Sequence, residues 1–207
     1  MQNDVLNGAE ALADRALADR RDQYIDEVRR LLEAAFTVLQ RSEDFEPQVR
    51  EIVREAGLSN AAFYRHFPSR DALLLAVLAD GRRQLVEYLS HRMETARDAA
   101  SQVTRFIEGV LAQAQDPKAA DATRPFAVNG SRLAARFPTE VAASRDDLLD
   151  LLRTPIHALG GDDQAVELVH DLVIARMNDA LVARRTPSKR EVSAIAAFCL
   201  AGVRNGT

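Results

Sequence analysis

The chain is poor in several things, and each shortage narrows its function. It has one cysteine, Cys199, in 207 residues, which rules out an intrachain disulfide and a cysteine-cluster metal site. In an apolar helical stretch such a residue reads as a small core side chain. No apolar run approaches the ~20 residues needed to span a bilayer. The first residues are acidic and carry no apolar signal-peptide segment, so the expected location is cytoplasmic. Strand signals are missing too: no alternating β-branched run is bounded by hairpin turns. The four histidines, His66, His91, His157 and His170, are scattered singly. No zincin, nucleophile-elbow, phosphate-loop or paired-carboxylate pattern accompanies them. We therefore expect no enzyme, no cofactor and no metal.

A basic excess is also lacking. The net charge is −4 and the pI about 5.6. Between Arg20 and Arg70, nine arginines face nine carboxylates. Any contact with nucleic acid must come from the placement of individual arginines, because there is no broad positive field.

What is present is helix punctuation. The tandem ALADR-ALADR of residues 11–20 favours helix and reads as a partly ordered arm over 1–21. A first helix follows from Asp22 to Arg41, with Ile25, Val28, Leu32, Ala35, Phe36 and Leu39 as its buried stripe. Pro47 is expected in the opening turn of the second helix. Val49, Ile52, Val53 and Ala56 then recur at helical spacing, and Gly57 ends that helix in the left-handed conformation. Ser59 caps the next helix. Phe63 and Phe67 share its buried face, leaving Asn60, Ala61, Tyr64, Arg65 and His66 near the opposite side. Two helices joined by a short glycine turn form a helix-turn-helix, whose second helix can enter the DNA major groove. The phenol, guanidinium and imidazole of Tyr64, Arg65 and His66, with Arg70 at the next helix start, are donors suited to phosphate oxygens.

Beyond Ser69-Arg70-Asp71, a helix start, the chain reads as further helices. These run over Ala99–Gln115, Pro125–Arg136, Thr139–Leu159 (kinked or broken near Pro155), Asp163–Arg185 and Ser188–Val203. Gly160-Gly161-Asp162 reads as a turn followed by a helix cap. The last two helices can complete one chain's core or form half of a four-helix dimer interface. For the interface we expect Val169, Val173, Leu181, Val192, Ile195, Cys199 and Val203. A ligand pocket is expected from Phe106, Val110, Phe126, Asn129, Leu133, Leu152, Ile156 and Met177, an apolar set with one amide that suits an apolar or amphipathic molecule. His170 and Asn178 are expected to be hydrogen-bonded in the dimer interface.

The run VREIVREAGLSNAAFYRHFPSRDALLLAVL resembles the DNA-binding domain of TetR-type transcriptional regulators (TetR/AcrR family). The likeness spans about Ile25 to Leu78. It rests on Ala56-Gly57-Leu58-Ser59, then Phe63-Tyr64-Arg65-His66-Phe67, then Ser69-Arg70-Asp71. It implies an all-α protein with a helix-turn-helix domain over 22–69 and a ligand-binding and dimerisation domain over 70–207. It further implies a homodimeric regulator, a repressor, that binds a palindromic double-stranded DNA operator and is released by a small-molecule effector. By position, Tyr64, His66 and Arg70 are implied to contact phosphates, and Ser59, Asn60, Ala61 and Arg65 to lie near base edges. Arg65 is suited to guanine, and Ala61 and Ala62 to thymine methyls. Where the family usually has a phosphate-binding threonine, this chain has Glu46-Pro47-Gln48, of which Gln48 can still donate. Asn60 replaces a frequent lysine or arginine. The alternative reading is an all-helical dimeric ligand- or protein-binding module with weak or no DNA binding.

Overall fold

The structure, a computed structural model, describes residues 2–41 and 46–205, with side chains over 13–41 and 46–204. All regular structure among these residues is helical. The helices are α1 (Gln2–Arg41), α2 (Val49–Ala56), α3 (Asn60–His66), α4 (Arg70–Glu94) and α5 (Ala99–Gln115). They continue with α6 (Pro117–Val128), α7 (Gly130–Arg136), α8 (Pro138–Ala158), α9 (Asp163–Val182) and α10 (Lys189–Asn205). No helix among the described residues is long and apolar enough to cross a membrane. The chain divides into two compact units within α4, between Ala76 and Val77.

In the N-terminal unit α1 packs on α2 and α3. Its buried stripe is Leu31, Ala34, Ala35, Val38 and Leu39, with the carboxylate of Glu27 one turn earlier. Of the expected stripe Ala35 and Leu39 are buried, whereas Ile25 is 50% exposed and Val28, Leu32 and Phe36 are only partly covered. Apolar residues occupy nearly every position from Leu31 to Leu39. Periodicity alone could not choose the facing side there, and the packing of α2 and α3 did. The arm is part of α1 itself, and its side chains from Ala13 to Ile25 are exposed. Pro47 lies before the N-cap Gln48 instead of in the first turn. Its missing N–H is harmless there, and the ring is buried.

In the C-terminal unit α5 is the central helix, packed against α6, α8, α9 and α10. Val103, Phe106, Ile107, Val110 and Leu111 are fully buried on it. A Cβ on Gly109 would stand 2.6 Å from Leu89 Cδ2, so glycine there lets α5 approach α4 closely. The expected helix over Pro125–Arg136 is two helices. Asp116 ends α5 and caps α6, its carboxylate accepting from Ala119 N–H at 2.8 Å, with Pro117 at the first helical position. Pro125 falls inside α6, and the chain breaks at Asn129. The α8 helix continues through Pro155. Asp162 caps α9, as the turn reading anticipated. That helix ends at Val182, short of Arg185, because Arg184 takes the left-handed conformation at φ 51°.

Candidate DNA-reading site and its relatives

The reading head is built by backbone chemistry that the sequence announces. Gly57 sits at φ 63° and ends α2; its own N–H and that of Leu58 return to the carbonyls of Arg54 and Val53. Ser59 Oγ accepts from Ala62 N–H at 3.1 Å and starts α3. Phe63 and Phe67 are both buried, with ring centroids 6.0 Å apart. Each such ring contributes about 2–3 kcal/mol by leaving water, so a seven-residue helix too short to persist alone is pinned in place. At the turn, Arg30 from α1 donates to the carbonyls of Ala56 and Gly57, supplying the donors that the carbonyls at the end of α2 lack.

Ser59, Asn60 and Ala61 are exposed at the start of α3, and Tyr64 is 59% exposed one turn later. Ala62, expected beside them, is buried at 6%. Gln48 is exposed before α2, and its backbone N–H donates to Glu51 Oε2 at 3.4 Å.

Two expected DNA-facing groups lie elsewhere. The His66 side chain is 1% exposed, and its Nε2 lies 2.6 Å from Glu27 Oε2. The same oxygen accepts from Arg65 Nη2, also at 2.6 Å, while Gln23 donates to Oε1 at 3.2 Å. The hydrogen bonds from His66 and Arg65 hold the Glu27 carboxyl down to about 2. Glu27 is therefore ionised, so His66 Nε2–H must donate. His66 Nδ1 is buried without a hydrogen-bond partner, and the Tyr24 ring packs edge-on against the imidazole at 4.5 Å. His66 is thus a packing and anchoring group, not part of the exposed face. The reason is geometric: at the C-terminal end of a short α3 its side chain turns toward α1. Arg65 keeps an exposed guanidinium but is tied back to α1.

Arg70 is 29% exposed and pairs with Glu46 at 2.9 Å. Glu46 thus holds the cation expected to bind a phosphate. Arg41 is likewise paired with Glu55. Arg50 and Arg54, exposed on α2, form no ion pair among the described residues, and sequence reading did not single them out. Glu27 was missed as well. A lone carboxylate one helical turn before Leu31, in line with a buried stripe, was its available signal.

In the C-terminal unit, the pocket residues Phe106, Val110, Leu152, Ile156 and Met177 meet in one buried core, whereas Phe126 is partly exposed. Leu133 and Asn129 are buried on α7 and at its cap. The Asn129 amide donates to Pro125 O at 2.9 Å, which stitches the α6–α7 break. The expected interface residues Val169, Val173, Leu181, Val192, Cys199 and Val203 are 0–7% exposed within a single chain, and Ile195 is partly buried against them. The six buried residues are core and cannot face a partner. The exposed apolar surface of α9 and α10 consists of Leu168, Ala175 and Val182, and of Ala194, Ala197, Phe198 and Ala201. His170 is also buried inside the chain, its Nδ1 lying 2.7 Å from Asp171 Oδ1, and Asn178 is partly buried. No group of metal-binding side chains occurs among the described residues.

Residues 31–77 match the model for bacterial regulatory proteins of the tetR family. The N-terminal domain is that of a TetR-type transcriptional regulator. The matched span takes in the capped α3, the Gly57 turn and the first part of α4. Solved structures extend the likeness over most of the chain. The fatty acid degradation regulator FadR from Bacillus halodurans is 16% identical, with a TM-score of 0.64 over 87% of this chain and 95% of that one. A TetR-family transcriptional regulator from Streptomyces coelicolor is 21% identical, with a TM-score of 0.63 over 86% and 92%. Reduced NemR from E. coli is 16% identical, with a TM-score of 0.67 over 87% and 96%. At these identities the structures establish the shared all-α fold. No curated protein matches the chain.

Proposed function

We propose that this TetR-type regulator acts as a dimeric, ligand-responsive repressor on a palindromic DNA operator. The observation that carries the reading is the start of α3. Ser59, Asn60, Ala61 and Tyr64 stand exposed on a helix whose other face is fixed by Phe63 and Phe67. The N-terminal residues of a recognition helix are those that meet base edges. Tyr64 and Gln48 have neutral donors for phosphates, and Arg50 and Arg54 bring charge that no ion pair takes up among the described residues. Arg70 reaches a phosphate by exchanging Glu46 for it, a swap of one anion for another.

Dimerisation is assigned to the exposed α9 and α10 faces. Leu168, Ala175 and Val182 repeat every seven residues, and Ala194, Ala197, Phe198 and Ala201 recur at helical spacing. Two copies of such a pair make a four-helix interface with small residues for close approach. The effector is assigned to the C-terminal unit as an apolar or amphipathic molecule, in keeping with Phe106, Val110, Leu152, Ile156 and Met177.

A second reading, a ligand- or protein-binding dimer with weak DNA affinity, draws support from the ion pairs that occupy Arg65, Arg70 and Arg41. A salt titration on DNA fragments selected from a random pool separates the two. An operator-binding dimer loses affinity linearly on a log–log plot, with a slope set by the phosphates it neutralises. Recovery of no common sequence, or a flat salt response, would favour the second reading.

A further inference from the structure

We propose that Glu27 is a specificity-determining positioning residue that keeps Arg65 off the base edges, so that α3 reads its operator with neutral side chains suited to A·T pairs. The inference rests on the DNA-binding reading above and refines it.

Three observations converge. Glu27 is buried at 8%, and one of its oxygens accepts from both Arg65 and His66 at 2.6 Å. Gln23 occupies the other oxygen. Releasing Arg65 toward the groove would take a charged donor at 2.6 Å from a carboxylate whose side chain is 11% exposed, a loss larger than that of a fully exposed pair. The His66 imidazole, 1% exposed and packed edge-on against Tyr24, already spends its Nε2 on the same oxygen. Arg65 therefore stays on the α1 side of α3, where its exposed N–H groups meet phosphate oxygens and not guanine.

What remains at the start of α3 carries no charge. The hydroxyl of Ser59 already serves as the cap acceptor. Asn60 can donate to N7 and accept from N6–H of adenine, the pairing an amide makes best, and the methyl of Ala61 suits the thymine methyl. Arginine on guanine, the commonest specific contact in major-groove recognition, is withheld by an intramolecular bond.

The test is selection from a randomised duplex pool with the full-length protein, followed by salt-dependent binding to the winning site. Wild type should recover half-sites whose α3-contacted positions are A·T. Arg65→Ala should recover the same half-site, bind every sequence about tenfold more weakly, and lose about one unit of salt slope. Glu27→Gln should free Arg65 and gain a guanine position, and this gain should vanish in the Glu27→Gln/Arg65→Ala double variant. If Arg65→Ala erases a guanine already selected by wild type, the inference is overturned while DNA binding stands. The same holds if a folded Glu27→Gln selects the wild-type site unchanged. If wild type recovers no common sequence, the DNA-binding reading itself fails, and this one with it. Should Glu27→Gln not fold, as judged by circular dichroism, Arg65→Ala decides alone, because it leaves Glu27 paired with His66 and Gln23.

Discussion

The Arg30 guanidinium reaches across 26 residues of sequence to donate to the Ala56 carbonyl oxygen, with Nη2 at 2.6 Å and Nε at 3.1 Å. One α1 side chain thereby closes the end of α2 at the turn that sets the direction of α3. Removing it leaves that carbonyl without its charged donor. Arg30→Ala should lower the stability of the N-terminal unit by about 2 kcal/mol, read as a reduced midpoint in chemical denaturation. Arg30→Lys should recover only part of this, since an ammonium cannot present two fixed donors to one oxygen.

Acid should unlock Glu27. Its carboxyl titrates at about 2 in the folded chain against an ordinary 4.5, chiefly through His66 and Arg65. A depressed carboxyl contributes stability that is fully present above about pH 4.5 and fades as the pH falls through about 2. The stability difference between wild type and Glu27→Gln should therefore shrink between pH 4.5 and 2. Denaturant midpoints across that range measure it, and a difference that persists at pH 2 would count against the assignment.

Phe198 is 70% exposed whereas Val203, on the same helix, is 2% exposed. If the exposed α9 and α10 faces form the dimer, Phe198→Glu should give a folded monomer by light scattering, with its helical circular dichroism retained. Val203→Glu places a charge in the core of the same unit and should unfold it, costing about 3 kcal/mol or more. A dimer that survives Phe198→Glu would move the interface elsewhere.

Burial pushes the Cys199 thiol up to about 11, against an ordinary value of 9.0. The thiolate is the reactive form, so the folded chain should react about a hundredfold more slowly near pH 7.5 than the denatured chain. A chromogenic disulfide reagent with and without denaturant reads this directly. Fast labelling of the native protein would contradict a core role for Cys199.

Much of the fold was legible because the relevant signals are local. The all-α class, the Gly57 turn, the Ser59 cap, the Phe63/Phe67 anchor and the bounds of α5 each depend on neighbours within one helical turn. The TetR-type head follows from those same residues. Where two local signals competed, as at Asp116-Pro117, one residue closed one helix and opened the next, and the sequence reading lost α6. The turn of α1 about its own axis was hidden because apolar side chains cover too much of its circumference.

The sequence by itself determined which segments are helices, where they turn, and which residue types the reading head can offer. Only the tertiary structure decided which of those residues are free. Glu27 takes Arg65 and buries His66, Glu46 holds Arg70, and six of the seven expected interface residues are spent on a single chain's core. The physical reason is that caps and periodicity are set by backbone geometry over four residues. Ion pairing and facing are set by which helices meet, across separations such as the 38 residues between Glu27 and Arg65.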